Sequence, residues 1–204
     1  MKKKFLSVLF WGAMWGIGEA TIGNVIHLWS IALPGLPGFV MFPFAFYFMH
    51  RVYLETKEPR AVFFAATIAA AIKLVDFLIP GYIAIRIINP ALSILLEGLA
   101  VASIFGYCEQ KGRVFGFLEG LYTGISWRCL WLMYMFMISL FELPAALITD
   151  GIIVSLRFLI VESLVNAILI SFLLTALKPK EVKCRAPAFT YAALAIAVLL
   201  QVFM

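Results

Sequence analysis

Charge is what this chain has least of. Lys, Arg, Asp and Glu make up 13% of its 204 residues, while 64% are hydrophobic, against about 25% and about half in a soluble domain. So few charges cannot cover a water-facing surface, and a mean hydropathy of +1.04 excludes an ordinary soluble enzyme or binding module. Cysteine and histidine are scarce too. Cys108, Cys129 and Cys184 have no metal-site spacing and form no CxxC pair. His27 and His50 are the only histidines, and they fall at opposite ends of two different apolar segments. The chain contains no HExxH, no GxSxG and no GxxxxGK[ST], so no metal, cofactor or catalytic group is expected. Uphill transport by such a chain requires a partner or an ion gradient.

What is present is long apolar runs. Several reach about 18 residues or more, enough for a helix to cross roughly 30 Å of hydrocarbon. The pattern predicts an all-α, polytopic membrane helix bundle, a single integral membrane domain over 1–204 with six to seven transmembrane helices. The spans are placed at about 5–28, 36–50, 61–79, 90–107, 114–141, 152–177 and 187–204. Span three stops at Pro80-Gly81, and span four is expected to open with Asn89 as N-cap and Pro90 at the first helical position. Residues 1–20 also resemble a signal peptide, but Glu19 interrupts the cleavage region and the apolar stretch runs on to Leu28, which favours a retained first span.

Basic residues set the orientation. With the N-terminus in the cytoplasm, twelve of sixteen Lys and Arg residues lie inside, only Arg86 lies in an outer loop, and Lys73, Arg128 and Arg157 lie within spans. That is the positive-inside asymmetry. The net charge of +5 therefore reads as topology in a multi-pass protein of the cell membrane, with the lipid bilayer and not nucleic acid as its surroundings.

Charges inside spans carry the functional signal, since each costs roughly 2.5–3.5 kcal/mol on insertion scales unless it finds a partner or a wet cavity. Glu19, Lys73, Asp76, Glu97, Arg128, Arg157 and Glu162 all fall at mid-depth or toward the outer side, and only Glu119 sits near the inner boundary. Four-residue steps put Glu19, Gly23 and His27 on one face of span one, and Asn89, Ser93 and Glu97 on one face of span four. Lys73 with Asp76, and Glu162 with Asn166, share faces likewise. Trp127 and Trp131 flank Arg128. A shared, outward-facing ligand pocket is expected from Glu19, His27, Lys73, Asp76, Asn89, Glu97, Trp127, Arg128, Trp131, Arg157 and Glu162. The competing reading is structural, because four carboxylates (Glu19, Asp76, Glu97, Glu162) nearly balance three cations and can pair to fix helix packing. Small residues recur every four positions at Gly112, Gly116, Gly120 and Gly124, and at Gly12, Gly16 and Ala20, a spacing that serves either internal packing or docking of another helix.

The ridge GAMWGIGEA, the loop LPGLPG after it, the span-four start INPALSILLEG and the basic tail LKPKEVK together resemble the substrate-binding S component of energy-coupling-factor transporters. The likeness covers about residues 1–180 and is architectural, without a diagnostic ligand motif. It implies six helices, a binding pocket near the outer face, and capture of a small polar or zwitterionic, vitamin-like solute. It also implies two ATPases and a transmembrane coupling subunit, docked where Gly12, Ala13, Gly16 and Ala20 lie. A seventh span departs from that plan and suits a rival, a stand-alone secondary transporter, although its Pro-Gln signature is missing. An intramembrane enzyme using Glu19 with His27 is a third reading.

Overall fold

The computed structural model describes residues 2–23, 25–26, 36–81, 83–176 and 186–203. His27, Cys184, Leu33 to Gly35 of the Pro-Gly loop and the basic tail from Leu177 lie outside the described residues. Eight helices account for nearly all the rest, with no strand among the described residues. They are α1 (Lys2–Gly23), α2 (Leu36–Thr56), α3 (Pro59–Leu78), α4 (Ala84–Lys111), α5 (Phe117–Ser139), the single turn α6 (Ala146–Thr149), α7 (Ile152–Ala176) and α8 (Pro187–Phe203). Four of them, α1, α3, α4 and α7, are long and apolar enough to cross a membrane. With 21 and 23 residues, α2 and α5 have the length. Their tyrosines, glycines and charges, including Arg51 in α2 and Arg128 in α5, hold their hydropathy down. The apolar α8 is shorter, at 17 residues.

Local chemistry sets most of the boundaries. Pro59 opens α3, where its missing N–H costs nothing, and α3 tightens into a 3-10 turn over Leu74–Leu78 before Pro80. Gly112 ends α4 in the left-handed conformation at φ 60°, which glycine adopts without steric cost. One expected boundary is wrong. Span four does not begin at Asn89, because α4 starts at Ala84 and carries Pro90 inside it. Pro90 lies past the first turn of α4, so it removes the hydrogen bond that an N–H at this position would donate to the Arg86 carbonyl. Asn89 is thereby freed from capping, and its side-chain oxygen accepts a hydrogen bond from the Tyr134 hydroxyl at 2.7 Å.

In the bundle α2 is central, touching α1, α3, α4 and α7. Its inward stripe of Phe42, Ala45, Phe46, Met49 and Val52 is buried almost completely, following the helical period. Small residues let the neighbours close in. Buried Ala61, Ala65, Ala66, Ala69 and Ala70 line α3, and a Cβ on Gly12 would lie 2.8 Å from the Ala65 carbonyl oxygen. Behind α1, α8 packs Ala193 and Ala197 against Ala13 and Ile72. The outward faces keep large apolar side chains such as Phe64, Leu118, Phe136 and Phe172 exposed, a pattern that monomers in water avoid over wide areas.

Candidate functional site

The helices α1, α2, α4, α5, α6 and α7 converge on a cavity of about 330 Å³, at the small end of the roughly 300–1,000 Å³ typical of ligand pockets. From α4 come Asn89, Ser93 and Glu97, one polar stripe at four-residue steps, with Pro90 and Ile94 beside it. Glu19 comes from α1, Trp127 and Trp131 from α5, Leu147 from α6 and Phe158 from α7. The opening turns of α2 supply Pro37, Gly38, Met41 and Phe42.

Polar groups in the wall are sparsely partnered. Glu97 is buried, and its Oε1 accepts a hydrogen bond from Ser93 Oγ at 3.2 Å. Glu19 Oε1 accepts one from Trp15 Nε1 at 3.0 Å. It sits in a π-turn, Glu19–Gly23, that ends α1. Such turns often occur at functional positions. Trp127 is 4% exposed, and its indole N–H has no partner among the described residues. Buried donors are nearly always satisfied, and Arg51 Nε, Arg128 Nε and the Thr190 hydroxyl share this exception.

Arg128 lies behind the wall and not in it. It is fully buried, with its guanidinium carbon 4.5 Å from the Trp127 ring centre and 5.1 Å from that of Phe158. Its Nη2 donates to the Gly38 carbonyl at 3.0 Å and stands 3.6 Å from Glu162 Oε2, an ion pair too long for a hydrogen bond. Asn166 Nδ2 donates to the same carbonyl at 3.0 Å. The pair Glu162 and Asn166 thus serves α7 and the start of α2. A Cβ at Gly38 would overlap the Glu162 carboxylate, so a side chain here would have to displace the end of Glu162 from beside Arg128.

Other expected site residues lie elsewhere. Lys73 pairs with Asp76 at 3.0 Å, and Gln201 Nε2 of α8 donates to Asp76 Oδ1 at 2.6 Å. This cluster joins α3 to α8 and contributes nothing to the cavity lining. Arg157 is exposed: it opens the π-turn Arg157–Val161, whose buried side chain is Phe158. His27 falls outside the described residues. The expected docking ridge is occupied from within. Gly12, Ala13, Gly16 and Ala20 are all buried, and a Cβ on Gly16 would lie 2.7 Å from Ile72 Cδ1 of α3. The spacing that permits close approach is used here by the chain's own helices. Gly120 and Gly124 serve the same end against Ala167 and Ser163 of α7, while Gly112 and Gly116 flank a turn.

Met41, Phe42, Leu147 and Phe158 escaped the sequence reading because apolar residues in an apolar chain carry no distinguishing signal. Pro37 and Gly38 did carry one, as the second half of the Pro-Gly loop. Among the described residues no group of His, Cys, Asp or Glu is placed to hold a metal ion. Comparison with protein-family models, curated proteins and solved structures gives no match to this chain.

Proposed function

We propose that this chain is a membrane transport subunit that captures a small polar, vitamin-like nutrient in the cavity between α1, α2, α4, α5 and α7. The observation that carries the reading is the cavity wall, where the carboxylates Glu19 and Glu97 and the polar side chains of Asn89 and Ser93 sit among apolar and aromatic residues. Intramembrane ionisable groups with so few partners are costly unless a ligand or water meets them. In this reading six or seven helices cross the cell membrane with the N-terminus in the cytoplasm. Supporting it, Lys4 meets Glu58, so the start of α1 and the α2–α3 turn share one end. Tyr53 stacks on Phe105 at 4.3 Å, which brings the end of α4 there too. That end carries Arg51, Lys57, Arg60, Lys111 and Arg113, as the positive-inside rule asks. The cavity, near the other end, then faces outward.

Energy would come from a coupling subunit and ATPases, as the resemblance to S components implies. Because Gly12 and Gly16 face α3, that partner would meet a different surface. A stand-alone carrier is the second reading, and the packing of α8 against Ala13, Ile72 and Asp76 supports counting it with the bundle.

The test is to denature the purified protein and identify any released solute by mass spectrometry. One small polar solute is expected from the wild type, with at least about tenfold less from Glu97→Gln at equal folding, since about 1.4 kcal/mol is a factor of ten. Uptake into liposomes holding this chain alone would favour the carrier. No released solute and no uptake in any arrangement would sink both readings.

A further inference from the structure

From the hydrogen-bonding valences left open along α4 we infer that the ligand is an uncharged planar ring with an amide edge, a carboxamide or a lactam. The inference rests on the proposed solute-capture role and narrows it. Asn89, Ser93 and Glu97 stand at four-residue steps on one face of α4 and line the same cavity. The bonds they already make fix what each can still offer. Tyr134 donates its hydroxyl proton to Asn89 Oδ1 at 2.7 Å, so the amide nitrogen Nδ2 is turned elsewhere and remains a donor. Ser93 Oγ donates to Glu97 Oε1 at 3.2 Å, which uses its only proton and leaves it lone pairs to offer. Asn89 Nδ2 and Glu97 Oε2 have no hydrogen-bond partner among the described residues, and neither is enclosed as the Trp127 indole nitrogen is.

The stripe thus presents a donor at Asn89 and an acceptor at Ser93, with the Glu97 carboxyl beside the acceptor. A ligand that meets it needs a carbonyl oxygen for Asn89 and an N–H for Ser93. An amide carries both side by side, whereas a carboxylate or phosphate only accepts and an ammonium or amidinium only donates. The rest of the wall asks for an apolar body. Phe42, Trp127, Trp131 and Phe158 bring four rings to it, with Met41 and Leu147 beside them. Rings pack well on rings in offset or edge-on arrangements, and a cavity of about 330 Å³ admits only a small ligand. Tyr134 is then a positioning residue: by holding Asn89 Oδ1 it decides which end of that amide reads the ligand.

Three isosteres of one ring form the probe set: benzamide (donor and acceptor), acetophenone (acceptor alone) and benzamidine (donors alone). They are titrated calorimetrically into the full-length protein in detergent. Benzamide is expected to bind at least about tenfold more tightly than either of the others, a gap of about 1.4 kcal/mol. Asn89→Leu should weaken benzamide and acetophenone alike, and Ser93→Ala should weaken benzamide about tenfold while leaving acetophenone within about threefold. Tyr134→Phe frees the Asn89 amide to turn and should narrow the gap between benzamide and benzamidine, which a merely structural hydroxyl would not do. Unfolding temperatures are checked so that only folded variants count. Acetophenone or benzamidine binding as tightly as benzamide overturns the amide inference while leaving the cavity as a solute site. So does benzamide binding that is indifferent to both Asn89→Leu and Ser93→Ala, and so does silence from all three probes. The released-solute measurement then decides separately whether the capture reading survives.

Discussion

Tryptophan, arginine and glutamate meet twice in this molecule, with opposite results. At the basic end, Glu55 accepts from Ser7 Oγ at 2.5 Å and from Trp11 Nε1 at 2.9 Å, with Arg51 3.9 Å away and stacked over Trp11 at 5.3 Å. The indole N–H and the carboxylate satisfy each other, and the cluster pins α1 to α2. At the cavity end, Arg128 stacks on Trp127, but the Trp127 N–H donates to nothing among the described residues and the arginine turns away to Glu162. Glu97 is left with a serine. The same three residue types close a structural joint in one place and hold a wall open in the other. What separates them is whether the indole N–H reaches the carboxylate, since Arg51 and Arg128 each keep a buried Nε without a partner.

That contrast breaks most severely at Arg128. In Arg128→Leu, buried Glu162 loses its counter-charge and the Gly38 carbonyl loses a donor, and removing one partner of a buried pair costs about 3–5 kcal/mol. Chemical or thermal unfolding in detergent should show it, and adding Glu162→Leu should recover part of the loss. A single variant as stable as the wild type would mean that the pair is not structural. Next comes the joint at the basic end. Glu55→Ala strands the Ser7 and Trp11 donors and should cost about 1–3 kcal/mol, read by the same unfolding curves. A loss below about 0.5 kcal/mol would put this joint on a par with ordinary surface positions. The smallest effect on stability belongs to the cavity. Glu97→Gln keeps an acceptor for Ser93, so unfolding should move by less than about 1 kcal/mol even as solute binding falls. If Glu97→Gln melts as early as Arg128→Leu, the cavity wall is another joint and the contrast is lost.

The stripe Asn89, Ser93 and Glu97 was legible from spacing alone, because three polar residues at four-residue steps share a helix face whatever surrounds the helix. The Lys73 and Asp76 pairing was legible for the same reason. Which way a face turns was not. Gly12 and Gly16 offer the same small ridge to a partner protein or to α3, and only tertiary packing chooses. Arg128 was placed in the pocket because depth along α5 is readable and rotation about its axis is not, so a side chain behind the wall looks like one within it. The start of α4 was misplaced because proline favours the first turn of a helix, whereas α4 carries Pro90 in its interior at the cost of one backbone hydrogen bond. Among the helices, α2 was the faintest in the sequence, with Pro43 and a polar end interrupting its hydropathy. It forms the centre of the bundle, since its stripe from Phe42 to Val52 is buried on all sides.

The close passage at Gly38 has an evolutionary corollary. Positions 38 and 162 are linked, because a side chain at the first would have to push aside the carboxylate of the second. A rotated Glu162 or a shorter acid such as Asp would make the room, and either moves the counter-charge relative to Arg128. A change at 38 is therefore felt at 128, and substitutions at 38, 128 and 162 should be correlated among relatives of this chain.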